Sequence, residues 1–345
     1  TCTLTIDASK TVSALFVANS YTLTVTSPSN GSISGLGINC PTDCTESYAY
    51  GTSVTLAATP ATGYSFGSWS GACSGAIANC TILIDGTKSV SASFTKNSYA
   101  LTVTAPNNGT ITSDVGGISC GATCSATYDY GDSVTLTATA NAGYTLSTWT
   151  GACSGAASTC TLTIDGPKTV GATFTVNSYT LTVNSPSSGT ISGPGISCGA
   201  TCSATFTYGT SVTLVATPAT GYSFTAWTGA CSAEVTTTCT VSMTQARTVS
   251  ATFTINSYTL TVAQPANGTI TTNTGGINCG ATCTATYTYG ASVQITATAA
   301  TGYTFSAWSG ACSGSTSPCT ITIDGNKSVS ATFTVNTYLV TVTSP

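Results

Sequence analysis

Sixteen of the seventeen cysteines fall into pairs of two kinds, one closely and one more widely spaced. Three residues separate Cys40 from Cys44, Cys120 from Cys124, Cys198 from Cys202 and Cys279 from Cys283. Six residues separate Cys73 from Cys80, Cys153 from Cys160 and Cys312 from Cys319, and seven separate Cys231 from Cys239. Two chemistries suit such a set. Four thiolates in one group could hold a metal ion, but zinc knuckles favour Cys-x2-Cys, which these segments lack. Disulfides are the better reading, and no metal or cofactor is expected. A loop that changes length between fixed cysteines reads as a surface loop closed by a bridge. Local pairing is therefore expected, although non-local pairing such as Cys44 with Cys73 stays open from sequence. Cys2 is left without a partner.

Other chemistry is sparse. There is no His, and charged residues make up 5% of the chain with a net charge of −4. No carboxylate pair recurs, and no Gly-rich loop precedes a helix, so neither acid–base nor phosphate chemistry is supported. The chain reads as non-enzymatic. Without a basic patch it is not expected to bind nucleic acid. No run approaches a membrane span. One cation recurs at Lys10, Lys88, Lys168, Arg247 and Lys327. Arg247 excludes a general isopeptide role, and a turn cation beside Asp85 and its equivalents is expected. One Trp and several Tyr recur with the cysteines, among them Tyr48 and Tyr50, which alternation places on one strand face. They suit either a core or a carbohydrate platform, and the core is the better reading. Asn30, Asn108, Asn267 and Asn326 each open a glycosylation sequon, and turn chemistry explains the first three equally well.

The recurrence of these residues is a repeat. Gly63-Tyr64 to Trp69-Ser70-Gly71-Ala72-Cys73 returns at Gly143, Gly221 and Gly302, with the Trp residues 80, 78 and 81 positions apart. Expected repeats span 19–96, 97–176, 177–255 and 256–335. Residues 1–18 match the C-terminal part of a repeat, since Cys2 aligns with Cys80. Residues 336–345 match a first strand. The chain is thus expected to be a window on a longer array. Features shared by the first and third repeats, and by the second and fourth, add a period near 158.

The elements that must position these residues are strands. Tyr21, Leu23 and Val25 alternate with threonines; Val54, Leu56 and Ala58 alternate with Thr55 and Ala57, and Val90, Ala92 and Phe94 with serines. Period two with β-branched and aromatic residues reads as half-buried β-structure. No helical spacing is present, and strong helix formers are scarce. Six or seven short strands per repeat are expected. Asn30-Gly31 and its equivalents suit hairpin turns with positive φ. The fold class is all-β: four small, disulfide-stapled, β-sandwich-like units. The alternative is a β-grasp-like unit lacking the helix. Small units bury little, so staples matter. Short junctions between repeats restrict the hinge.

The run Tyr21-Thr-Leu-Thr-Val25, the Gly51 to Pro60 strand, the Gly63 to Gly71 block and Lys88 to Phe94 resemble the divergent internalin B-type repeat of bacterial surface proteins. The resemblance covers the chain once per repeat. It implies an extracellular, non-catalytic bacterial repeat. Cysteine density points the same way, to an oxidising compartment. Mean hydropathy of +0.28 with so little charge gives little electrostatic protection against association. The Ser- and Thr-rich surface therefore suits glycans or contact with neighbouring copies or the continuing chain. The expected function is a structural segment of a stalk or filament; the alternative is a glycan- or surface-binding adhesin repeat.

Overall fold

A computed structural model describes residues 1–199 and 201–343. They fall into two compact units, residues 1–175 with the first and second repeats and 176–345 with the third and fourth. The first repeat holds eight strands: β1 (Ser20–Val25), β2 (Gly31–Ser34), β3 (Asn39–Cys40), β4 (Thr45–Ala49), β5 (Ser53–Pro60), β6 (Tyr64–Gly71), β7 (Asn79–Leu83) and β8 (Lys88–Lys96). The same eight recur in each later repeat. Sequence reading expects six or seven. The two-residue β3 is too short to show any alternation, so it leaves no pattern to read.

The strands form two four-stranded sheets, ordered β4-β1-β8-β6 and β3-β2-β5-β7. Two sheets per repeat set aside the β-grasp alternative. Every repeat keeps this order. Leu23, Val25, Trp69 and Val90 come from the first sheet, and Ile33, Val54, Leu56 and Ile82 from the second. They meet in one buried cluster, each no more than 4% exposed. The alternation that marks the strands in sequence is the alternation of this inner face with water. Burying each such side chain stabilises by roughly 1.5–3 kcal/mol. Each repeat has its own core cluster.

The turn at Asn30-Gly31 differs from expectation. Asn30, Asn108 and Asn267 do adopt positive φ, at 66°, 65° and 70°. They do not close hairpins, however. β1 pairs with β4 and β8, whereas β2 pairs with β3 and β5. Of the connections within a repeat, β2 to β3 alone is a hairpin; the others carry the chain between sheets. A turn residue fixes how sharply the backbone reverses, not which strand it meets next. The pairing of β1 with β8 is parallel, Leu23 opposite Lys88 and Val25 opposite Val90.

Residues 1–18 and 337–343 form no strand, although sequence matches them to strands; residues 344 and 345 lie outside the described residues. Phe16 aligns with Phe94, which packs half-buried against the core, but is 91% exposed. Strand conformation here needs partners from elsewhere in a repeat, and these segments pair with none. By contrast Lys10 reaches Asp7 at 2.6 Å in this same segment. That turn contact is local and needs no sheet.

Candidate functional site

The cysteines occupy the open sides of the sandwich. Cys40 ends β3 on one sheet, and Cys44 immediately precedes β4 on the other. The two are bonded, with Cα atoms 4.5 Å apart. Asn39 and Asp43 exchange backbone hydrogen bonds of 2.8 and 2.7 Å around them. On the opposite side, Cys73 follows β6 and bonds to Cys80 in β7, Cα atoms 6.1 Å apart. Each bridge therefore clips an edge strand of one sheet to an edge strand of the other. The later repeats carry the same two clips: Cys120–Cys124 and Cys153–Cys160, Cys198–Cys202 and Cys231–Cys239, Cys279–Cys283 and Cys312–Cys319. Cys2 is a free, exposed thiol. Among the described residues no group of three His, Cys, Asp or Glu is placed to hold a metal ion.

The Trp residues are core. Trp69, Trp149, Trp227 and Trp308 are 2–4% exposed. Each indole N–H donates to a carbonyl in the loop closed by the second bridge: Ile77 at 2.9 Å, Ala157 at 2.7 Å, Thr236 at 2.8 Å and Thr316 at 3.0 Å. The longer loop of the third repeat keeps this bond by moving its acceptor one residue further from the Trp. Phe66 packs against Trp69 with ring centres 5.6 Å apart and edge-on to Phe94 at 6.0 Å. A buried ring with its N–H satisfied offers no sugar platform.

Tyr48 and Tyr50 differ in burial, although Tyr21, the cross-strand partner of Tyr48, also holds its ring 6.2 Å from that of Tyr50. Tyr48 is buried in β4 at 7% exposure and its hydroxyl donates to the Leu36 carbonyl. Burial, helped by Glu46 and Asp43, raises its phenol above the ordinary range. Tyr50 stands past the end of β4 and is 61% exposed. The chain turns at Tyr50-Gly51, where Gly51 has a φ of +85°, so Tyr50 lies at the end of the strand, where less of the repeat covers it.

The equivalents of Tyr50 show what that position does. In the first unit, Tyr130 of the second repeat faces Gly63 of the first. A Cβ at Gly63 would stand 2.1 Å from the Tyr130 ring. Asn97 sits between them. Its N–H donates to the Gly63 carbonyl at 2.9 Å and its carbonyl accepts the Tyr130 N–H at 2.8 Å. Its side-chain oxygen accepts the Ser65 hydroxyl at 2.6 Å. Lys96 and Asp132 add an ion pair at 3.6 Å. In the second unit Asn256 repeats the arrangement with Gly221 at 2.8 Å, Tyr289 at 2.8 Å and Ser223 at 2.6 Å. A Cβ at Gly221 would meet the Tyr289 ring at 2.0 Å. Sequence reading singles out Gly63 and Tyr50 but misses this joint. The available signal is that Gly-Tyr, Asn-Ser-Tyr and the post-β4 Tyr recur in register.

The recurring cation behaves as the turn chemistry requires. Lys88 meets Asp85 at 2.5 Å, and Lys168 meets Asp165 and Lys327 meets Asp324 at 2.6 Å. The lysine hydrogen bond first, and its charge second, hold these carboxyls below the usual range. In the third repeat Thr244 stands in place of the Asp and bonds Arg247 at 3.2 Å. Asn326, in the fourth sequon, accepts the Thr259 N–H at 3.0 Å.

A family model described as a divergent InlB B-repeat domain matches residues 21–98, 99–178, 179–257 and 258–337. The chain belongs to the divergent InlB B-repeat family. Each matched B-repeat begins at the Tyr of Asn-Ser-Tyr. No curated protein matches the chain. Among solved structures it is similar to the Bacillus anthracis TIE protein, at 12% identity and a TM-score of 0.43, over 91% of this chain and 67% of that one. The pilus adhesin SpaC from Lactobacillus rhamnosus GG matches at 9% identity and a TM-score of 0.25, over 83% of this chain and 47% of the adhesin, so the B-repeats span less than half of its length. Two B repeat units of the collagen binding protein of Staphylococcus aureus match at 12% identity and a TM-score of 0.15, over 92% and 100% of the respective chains. Scores this low carry nothing about the fold or function of these B-repeats. Among the described residues no helix is long and apolar enough to cross a membrane.

Proposed function

We propose that these B-repeats are a non-catalytic structural spacer in an extracellular or surface-attached bacterial protein. The carrying observation is the joint. Asn97 and Asn256 bond to the repeat on either side through backbone and side chain, and no linker residues remain to act as a hinge. Family membership supports the reading, and so do the paired cysteines, which persist in an oxidising compartment. A spacer needs neighbouring repeats held in fixed relation, and a Gly against a Tyr ring under three hydrogen bonds supplies that.

The test is weak alignment of the full chain, reading amide residual dipolar couplings. One alignment tensor is expected to fit the first and second repeats together. Gly63→Val, which forces a side chain into the Tyr130 ring, is expected to require separate tensors while both repeats keep their amide spectra. Separate tensors in the unaltered protein would overturn the spacer reading.

A further inference from the structure

The second repeat differs from its siblings in a way the spacer role does not use. On β8 and its equivalents, Ser91, Ser250 and Ser330 occupy the position where the second repeat has Gly171. Those serines bond the hydroxyl across the strand pair: Ser70 at 2.6 Å, Thr228, and Ser309 at 2.5 Å. In the second repeat Thr150 faces Gly171 instead, and its hydroxyl has no hydrogen-bond partner among the described residues. A Cβ at Gly171 would stand 2.7 Å from Thr150 Oγ1 and 3.6 Å from Thr104 Cβ. A second change lies on the same strand pair. Leu146 stands where the other repeats have Phe66, Phe224 and Phe305. Phe174 therefore lacks the edge-on ring that Phe94, Phe253 and Phe333 have at 6.0–6.2 Å.

Beside Gly171 lies a cleft of about 430 Å³. Thr104, Thr150, Thr173, Asn107 and Asn108 supply its polar wall and Phe174 part of its apolar wall. The volume suits a small ligand rather than a few waters. No charged side chain lines it, so neither an anion nor a cation has a counter-charge there. Hydroxyls and amides both donate and accept, and the half-buried Phe174 ring adds apolar surface for C–H groups. A ring with hydroxyls on its rim and an apolar face combines those needs.

We propose that this cleft of the second repeat binds a neutral saccharide. The proposal is independent of the spacer role. The test is titration of the intact chain with cellobiose, maltotriose and diacetylchitobiose, with glucuronate as the charged control, read from backbone amide shifts. Shifts confined to residues 104–108, 150 and 171–174 are expected with at least one neutral sugar. Gly171→Ser recreates the Thr–Ser pair of the third repeat, so it is expected to fold and to weaken binding about tenfold or more. Asn107→Ala, which removes an amide without filling space, is expected to weaken it as well. No shift in those residues with any of the three sugars would overturn the proposal. So would equal binding by Gly171→Ser, or shifts as large with glucuronate.

Discussion

Trp69 does two jobs with one side chain. The ring fills the space between the sheets, and its N–H holds the Cys73–Cys80 loop through the Ile77 carbonyl. Trp69→Ala is expected to cost roughly 3–5 kcal/mol, the range for truncating a large core aromatic. Trp69→Phe keeps most of the burial and leaves the carbonyl near water, so about 1–1.5 kcal/mol is expected from the lost bond. Amide exchange of the first repeat in the full chain, followed through a denaturant series, separates the two. A loss below about 1 kcal/mol for the alanine variant would mean that the ring carries no core load. The cysteines are tested at the same scale. We expect non-reducing peptide mapping to link Cys40 to Cys44 and Cys73 to Cys80, and to find Cys2 as a thiol; a peptide joining Cys44 to Cys73 would contradict the clips.

At the scale of elements, the two clips and the Asp–Lys turn act on the sheet edges. Replacing Cys73 and Cys80 together by Ser removes the β6–β7 clip. Loop-closure entropy puts the cost at roughly 2–2.5 kcal/mol, since the closed loop is short. Urea unfolding of the full chain, read on amides of the first repeat, measures it. The turn carboxylates give a pH prediction. Asp85, Asp165 and Asp324 have folded pKa values below their ordinary value. Their contribution is therefore present above the unfolded carboxylate pKa and is lost as pH falls through the lowered folded value. The pairs are exposed, so the effect is small and screened by salt. A chain with all three changed to Asn is expected to lack this part of the acid-side decline in Tm at low ionic strength. The third repeat, with Thr244 in place of the carboxylate, is expected to show no such component in residue-resolved exchange. Identical acid profiles for the two chains would remove the turn pair from the account of stability.

For the whole molecule, each repeat has a separate core and all eight bridges lie within repeats. Reduction therefore removes roughly 4–5 kcal/mol from each repeat rather than from the chain once. That is comparable to the whole net stability of a small domain. Strong reductant is expected to lower the thermal midpoint of all four repeats together. A midpoint unmoved by reduction would show that the cores alone suffice. On the outer faces the hydroxyl rows satisfy one another: Thr55 with Thr81 at 2.8 Å, Thr135 with Thr161 at 3.0 Å and Thr213 with Thr240 at 3.1 Å. Cross-strand Thr pairs of this kind contribute to the sheet itself. They replace the charge that most surfaces carry.

Sequence alone determined the strands, because a face that alternates between core and water writes its period into the side chains. It determined the repeat for the same kind of reason, since spacing along one chain is local information, and it made local cysteine pairing the expected one while leaving non-local pairing open. It also determined the Asp85–Lys88 turn, which forms even where Asp7 and Lys10 have no sheet around them. What only the tertiary structure decided is which strand meets which. β1 pairs with β8, some 65 residues on, and the Asn30 turn joins two sheets where local chemistry alone reads as a hairpin. Nothing within a turn encodes the partner beyond it, because pairing is set by which edges remain free once the apolar faces have met. The unequal burial of Tyr48 and Tyr50, and the Gly63–Tyr130 joint, come from the same cause. Their roles depend on surfaces that exist only after two sheets, or two repeats, have packed.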